Sequence, residues 1–180
     1  MQKIANFEKV SFEEFSKTVK DIVDTHVSGC NISLGEYTIE EIYDNIKLPQ
    51  RATAGSAGYD FFNPFEDCKI TGENIIIPTG IKCRIEPGWV LMLYPRSSYG
   101  INHDFMLTNT VGIIDSDYYN NKRNEGHIMV GCKLNNTEKH TLTISHQFRF
   151  CQGIFLPFGI TEDDICLSDN RCGGFGSSGK

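Results

Sequence analysis

The sequence predicts an all-β chain, a sandwich or barrel, with two short helices near its N-terminus. Two observations support this. From Leu48 onward, short β-type runs are closed by turn residues at intervals of about eight to twelve positions. Before that, between about residues 12 and 46, apolar residues recur at helical spacing instead. Strands and long helices do not alternate, so a doubly wound parallel sheet is excluded.

The helices come first in the chain. "SFEEF", from Ser11, has the S-x-x-E spacing of a capping box, in which a hydroxyl and a carboxylate satisfy backbone N–H groups at the helix start. Phe12, Phe15, Val19, Ile22 and Val23 then form one apolar stripe. "TIEEIYDNI", from Thr38, repeats the device, with Ile39, Ile42, Tyr43 and Ile46 on one face. "SGCNISLG" between them reads as a loop, and the aromatic stripe reads as packing surface. The clearest strand runs are "NIIIP", "IKCRI", "WVLMLY", "TNTVGIID", "HIMVGCK", "TLTISH" and "GIFLPF", punctuated by "PTG", "EPG" and "NNT".

At 180 residues, with 12 Phe and 7 Tyr, the chain suits one domain with a proper core. A net charge of −6 argues against a general nucleic-acid binder, which must neutralise many phosphates. Seven Cys, an odd number without a CxxC pair, point to reduced thiols. The first residues, "MQKIANFEKV", contain no long apolar run. Neither a signal peptide nor a membrane span is expected, and the expected compartment is the cytoplasm.

The five His are scattered, with no HExxH and no zinc-spaced Cys pair, and no G-x-S-x-G elbow is present. Cys151, inside an apolar run, reads as a small buried hydrophobe. Three other stretches have the composition of a site. "YPRSSYG" (Tyr94 to Gly100) places a guanidinium fork and two hydroxyls after an apolar strand, a donor set suited to phosphate, although alone it is a turn. "NTVGIIDSDYY" (Asn109 to Tyr119) passes abruptly from apolar to acidic, as in either an Asp-rich turn or a general base against an apolar wall. "AGSAGYDFF" crowds small residues ahead of Asp60, as where a backbone approaches something closely. Finally, from Gly174 the sequence spells G-x-x-x-x-G-K, but polar "CLSDNR" precedes it and no helix follows. It is therefore no Walker loop, but either a Gly/Ser-rich tail or a candidate phosphate loop to be completed by residues elsewhere.

In their order, "AGYDFF", "PRSSYG", "NTVGIIDSDYY", "RFCQGIFLPF" and "GGFGSSG" resemble the five motifs of the trimeric dUTP pyrophosphatase (dUTPase) family, over Leu48 to Lys180. The resemblance implies a β jelly roll forming one domain over 1–180, with a helical insertion at about 12–46 and a flexible C-terminal arm at about 171–180. It implies a homotrimer whose active sites are each built from three subunits, and no nucleic-acid or membrane partner. It implies hydrolysis of dUTP to dUMP and pyrophosphate, which limits uracil in DNA and supplies dUMP for dTTP synthesis.

By the same resemblance Asp115 activates the water that attacks the α-phosphorus, held at the end of the strand "GII", with Asp117 in support. Asn109, with Gly112 and Ile114 of the same hairpin, reads uracil, and Tyr118 packs on the deoxyribose, leaving no space for a 2′-hydroxyl. Cytosine would leave buried groups unpaired at roughly 1–3 kcal/mol each, and thymine would need room for a methyl group. Arg96, Ser97, Ser98 and Gln152 contact phosphates, joined by Arg171, Ser177 and Ser178 from the tail. Phe175 stacks over uracil, at about 1–3 kcal/mol for such a contact. Mg²⁺ sits water-shelled on the phosphate oxygens, and Asp60 touches it only through water.

The sequence departs from the family pattern in four places. "NRCGGF" brings Arg171 one residue nearer to Phe175, and "YNNKRNEGHI" lengthens the turn after Tyr118. The helical segment splits a first strand, "KIANFEKV", from the remainder, and Gly153 replaces an aliphatic residue. Two further readings stay open. One is the fold-related dCTP deaminase group. The other is a nucleotide-gated interaction module, binding a protein partner through the N-terminal helices or the 119–126 loop.

Overall fold

A computed structural model of the chain describes residues 2–24, 32–135 and 141–165. Strand β1 (Ala5–Lys9) leads into helix α1 (Phe12–Asp24); β2 (Ile32–Ser33) and helix α2 (Ile39–Asp44) follow. The β region then runs through β3 (Gln50–Arg51), β4 (Tyr59–Phe62), β5 (Asp67–Ile70), β6 (Ile75–Pro78), β7 (Ile81–Ile85) and β8 (Trp89–Pro95). Helix α3 (Ser97–His103), β9 (Phe105–Leu107), β10 (Gly112–Ile114) and a 3-10 turn (Ser116–Tyr118) come next. The described chain closes with β11 (Met129–Leu134), β12 (Leu142–Ser145) and β13 (Arg149–Pro157).

All described strand pairs are antiparallel, in four sheets: β1-β7, β10-β8-β13-β4-β3, β6-β11-β9 and β12-β5-β2. The mostly-β expectation holds. Alternation explains why: in β12, buried and exposed residues take turns, so one face of the strand meets the core. Central to the largest sheet is β13, which pairs with β8 from Cys151 to Pro157 and with β4 from Arg149 to Gly153. Gly153 lies where three large side chains meet. A Cβ there would come within 2.7 Å of Leu91, 3.1 Å of Phe61 and 3.2 Å of Leu93, so the bulk sits on the neighbours.

Both N-terminal helices form. Thr38 makes the full capping box with Glu41. Ser11 makes half of one: its Oγ accepts the Glu14 N–H at 3.1 Å, but its own N–H goes to Glu125 Oε2 at 2.9 Å. Phe15 is fully buried, its ring 6.2 Å from Phe65, and Val10, Val19, Ile42 and Ile46 join the same buried cluster as Phe61, Ile81 and Leu91. Phe7 on β1 meets Tyr59, Phe61 and Phe155 at 5.4–5.7 Å, binding the two-stranded sheet to the largest one.

Two sequence assignments need correction. "TNTVGIID" is a strand only at Gly112–Ile114; Thr108 to Val111 is a turn, because Thr110 takes φ 65° and its N–H reaches back to Leu107 O. "PRSSYG" is not a simple turn: from Ser97 it enters α3, closed by Asp104 in the left-handed region at φ 53°. Among the described residues no helix is long and apolar enough to cross a membrane.

Candidate active site

The β9–β10 turn and the end of β10 wall a cavity of about 500 Å³. Asn109, Gly112, Ile114, Asp115 and Tyr118 all line it, with Leu93, Leu107 and Val130 among its apolar walls. Five residues singled out from the sequence therefore share one cavity. Pairing with β8 fixes β10, Gly112 opposite Leu93 and Ile114 opposite Leu91. Three backbone bonds tie the turn: Thr108 N–H to Gly131 O (2.9 Å), Thr110 N–H to Leu107 O (3.0 Å) and Val111 N–H to Asn109 O (2.7 Å). Asn109 is left exposed on that turn. Thr110, a non-glycine residue at positive φ, marks a strained backbone of the kind that clusters at binding sites.

Asp115 is half-buried at the end of β10, and its carbonyl accepts the Tyr118 N–H at 3.2 Å, starting the 3-10 turn. A carboxylate on a paired strand end is a fixed proton acceptor, as a general base must be. Asp117, two residues on, is exposed and does not line the cavity. Tyr118 is 6% exposed; its hydroxyl donates to His127 O at 2.9 Å and accepts from Asn124 Nδ2 at 2.8 Å.

A second concavity, about 400 Å³, is cationic and lies beyond the far end of β8. Arg96, Ser98, Asn102, His103 and Arg149 line it. Ser97 opens α3 and is exposed. Gln152 faces Asp60 and Tyr94 across β13 and donates to Pro95 O at 3.4 Å. A Cβ on Gly58 would come within 2.6 Å of Gln152 Oε1, which accounts for Gly58 ahead of Asp60, whereas a Cβ on Gly55 would meet nothing within 4 Å. Asp60 is buried, its oxygens 3.0 Å from Arg96 Nε and 3.3 Å from Arg149 Nη1. The sequence reading assigned Asp60 to a metal's water shell; in the structure its oxygens face two guanidinium groups. Arg149 was missed, although it opens the same motif as Gln152.

The two concavities are separated along one strand. Ile114 pairs with Leu91, so Asp115 falls beside Val90, and Arg96 lies six residues further along β8. At a strand rise of ~3.3 Å this is roughly 20 Å. Arg171, Phe175, Ser177 and Ser178 lie outside the described residues. Among the described residues no cluster of three His, Cys, Asp or Glu side chains forms a metal cage.

The dUTPase family model matches residues 44–179. The chain belongs to the dUTPase family. A deoxyuridine 5′-triphosphate nucleotidohydrolase of Lactococcus lactis is 40% identical over 135 residues, covering 74% of this chain and 89% of that protein. The dUTPase of Streptococcus mutans superposes with a TM-score of 0.58 at 38% identity, covering 74% of this chain and 98% of that one. The dUTPase of phage phi11 of S. aureus, described with a structural Mg(II) ion, is 19% identical with a TM-score of 0.54 and shares the fold. The dUTPase match begins at the last residue of α2, so β1 and α1 stand outside it.

Proposed function

We propose that the chain hydrolyses dUTP to dUMP and pyrophosphate, with Asp115 activating the attacking water. The observation behind this is the placement of Asp115 in the same cavity as Asn109, Gly112, Ile114 and Tyr118. Uracil binds along the Asn109 turn, where exposed backbone and amide groups read its edge, and the deoxyribose lies on the Tyr118 ring. The α-phosphate then meets Asp115, which takes a proton from the water as it attacks in line and pyrophosphate leaves. Arg96, Ser97, Ser98 and Gln152 take the phosphates, and we add Arg149, which lines the same concavity as Arg96. Mg²⁺ carried on the triphosphate would neutralise part of its charge, and Asp60 would approach it only through water while holding both guanidinium groups.

The roughly 20 Å between Asp115 and Arg96 of one chain supports an assembly in which neighbouring copies supply the two halves. We propose a homotrimer with shared sites. Each jelly-roll domain spans 1–180 with the helical segment as an insertion, and a C-terminal arm brings Arg171, Phe175, Ser177 and Ser178 over the nucleotide. The N-terminal helix and the lengthened loop, which suggested a protein partner, bind each other through Ser11 and Glu125.

Pyrophosphate release from dUTP, dCTP, dTTP and UTP tests the reading, with dUTP expected to dominate; deamination of dCTP instead would overturn it. Asp115→Asn should lower turnover at least about a hundredfold, the scale of a general base. It should still bind a non-hydrolysable dUTP analogue. Retained turnover removes Asp115 from the role.

A further inference from the structure

We infer that Asn124 is a positioning residue for sugar selection, fixing the Tyr118 ring against the nucleoside cavity from within the lengthened loop. This rests on the dUTP reading above. The residues after Tyr118 form a small self-bonded unit. Asn121 Nδ2 donates to Tyr118 O and to Asn124 Oδ1, both at 2.8 Å, while Asn121 Oδ1 accepts the N–H groups of Arg123 and Asn124. With its own Oδ1 so occupied, Asn124 presents Nδ2 to the Tyr118 hydroxyl at 2.8 Å. On its other side that hydroxyl donates to His127 O at 2.9 Å. The His127 backbone is fixed in turn: its N–H bonds Asn124 O at 2.8 Å, and its buried Nε2 accepts the Gly80 N–H at 2.9 Å.

The unit is tied to the N-terminal segment. Glu125, at φ 55°, accepts the Ser11 N–H at 2.9 Å and the Ser11 hydroxyl at 2.6 Å, and sits 3.5 Å from Lys82 Nζ. Tyr118 is thus gripped at its hydroxyl from two directions by a loop that cannot easily move. To reject a ribose, that ring must not retreat by the width of a hydroxyl group. Stiffness, not contact area, decides the outcome.

The test compares kcat/KM for dUTP and UTP in wild type, Asn124→Ala, Tyr118→Phe and the double variant, with thermal melting alongside. Tyr118→Phe keeps the ring and removes only the tethered hydroxyl, so it reports even if Asn124→Ala folds poorly. Each single variant should lower the dUTP/UTP ratio several-fold to roughly tenfold, the scale of one hydrogen bond. The double variant should fall no further than either single one. An unchanged ratio in both single variants, with only melting affected, makes the contact merely structural and ends the proposal. Fully additive losses show that Asn124 acts by another route and end it too. A wild-type chain that does not hydrolyse dUTP defeats the functional reading and this inference together; wild-type hydrolysis with unaltered variant ratios defeats the inference alone.

Discussion

Arg96 follows the last residue of β8 and, unsupported, would sample many rotamers at considerable entropic cost on binding. The buried Asp60 carboxylate removes that freedom, holding Arg96 Nε at 3.0 Å while Arg149 approaches the other oxygen. Asp60→Asn keeps the shape but loses the charge that orients both forks. We expect kcat/KM for dUTP to fall about tenfold or more, the scale of a hydrogen bond to a charged group. A steady-state assay checks this, and an unaltered value shows that Arg96 positions itself. Asp60 was legible in the sequence as a site residue, but its partners were not. Arg149 is 89 positions away and meets it only because β13 pairs with β4. No local pattern signals such a pair.

At the scale of elements, the N-terminal segment is attached by acids. The Tyr119 hydroxyl donates to Glu8 and holds its carboxyl below the ordinary value near 4.5. For Glu14 and Glu125 burial pushes the carboxyls up, but contacts from His127 and Thr18, and from Ser11 and Lys82, outweigh it and leave both lowered. A lowered folded value stabilises the docked state above the unfolded value and loses that stability as pH falls through the folded one. Protection of the α1 amides in hydrogen exchange should therefore hold at neutral pH and fade below about 4.5, before the β core opens. Protection retained until global unfolding would show that apolar packing alone holds α1. Periodicity revealed both helices, since Phe12, Phe15 and Val19 recur at helical spacing in α1, and Ile39, Ile42 and Tyr43 in α2. The Ser11 cap was half misread because its second partner, Glu125, lies 114 residues away. Short strands such as β2 and β3, two residues each, offer too little alternation to recognise. The turn at Thr108 to Val111 hid within an apolar run because Thr110, a β-branched residue, occupies a conformation its type rarely adopts.

Across the whole molecule, the proposed sharing of sites has different copies turn the Asp115 cavity and the Arg96 concavity toward one nucleotide. Mixing and re-assembling an Asp115→Asn chain with one lacking Gly173 to Lys180 should restore part of the activity that each lacks alone. Proven mixing without recovery would argue for a self-contained monomer. The Asp115 cavity was legible in the sequence as a contiguous stretch, Asn109 to Tyr118, because one unbroken run of chain, the β9–β10 turn, β10 and the following 3-10 turn, supplies those residues. Of the cationic concavity, Arg96 and Ser98 were legible in "PRSSYG", whereas Arg149 and the pairing of both guanidinium groups with Asp60 emerged only with the sheet order. The strand register that parts Asp115 from Arg96 has a consequence for the chain's early life. Under the proposed sharing, a newly made copy would hold two incomplete halves facing different neighbours and stay inert toward nucleotide until it met its own kind. Catalysis would then rise steeply with abundance, and thinning the protein out would extinguish it without any inhibitor.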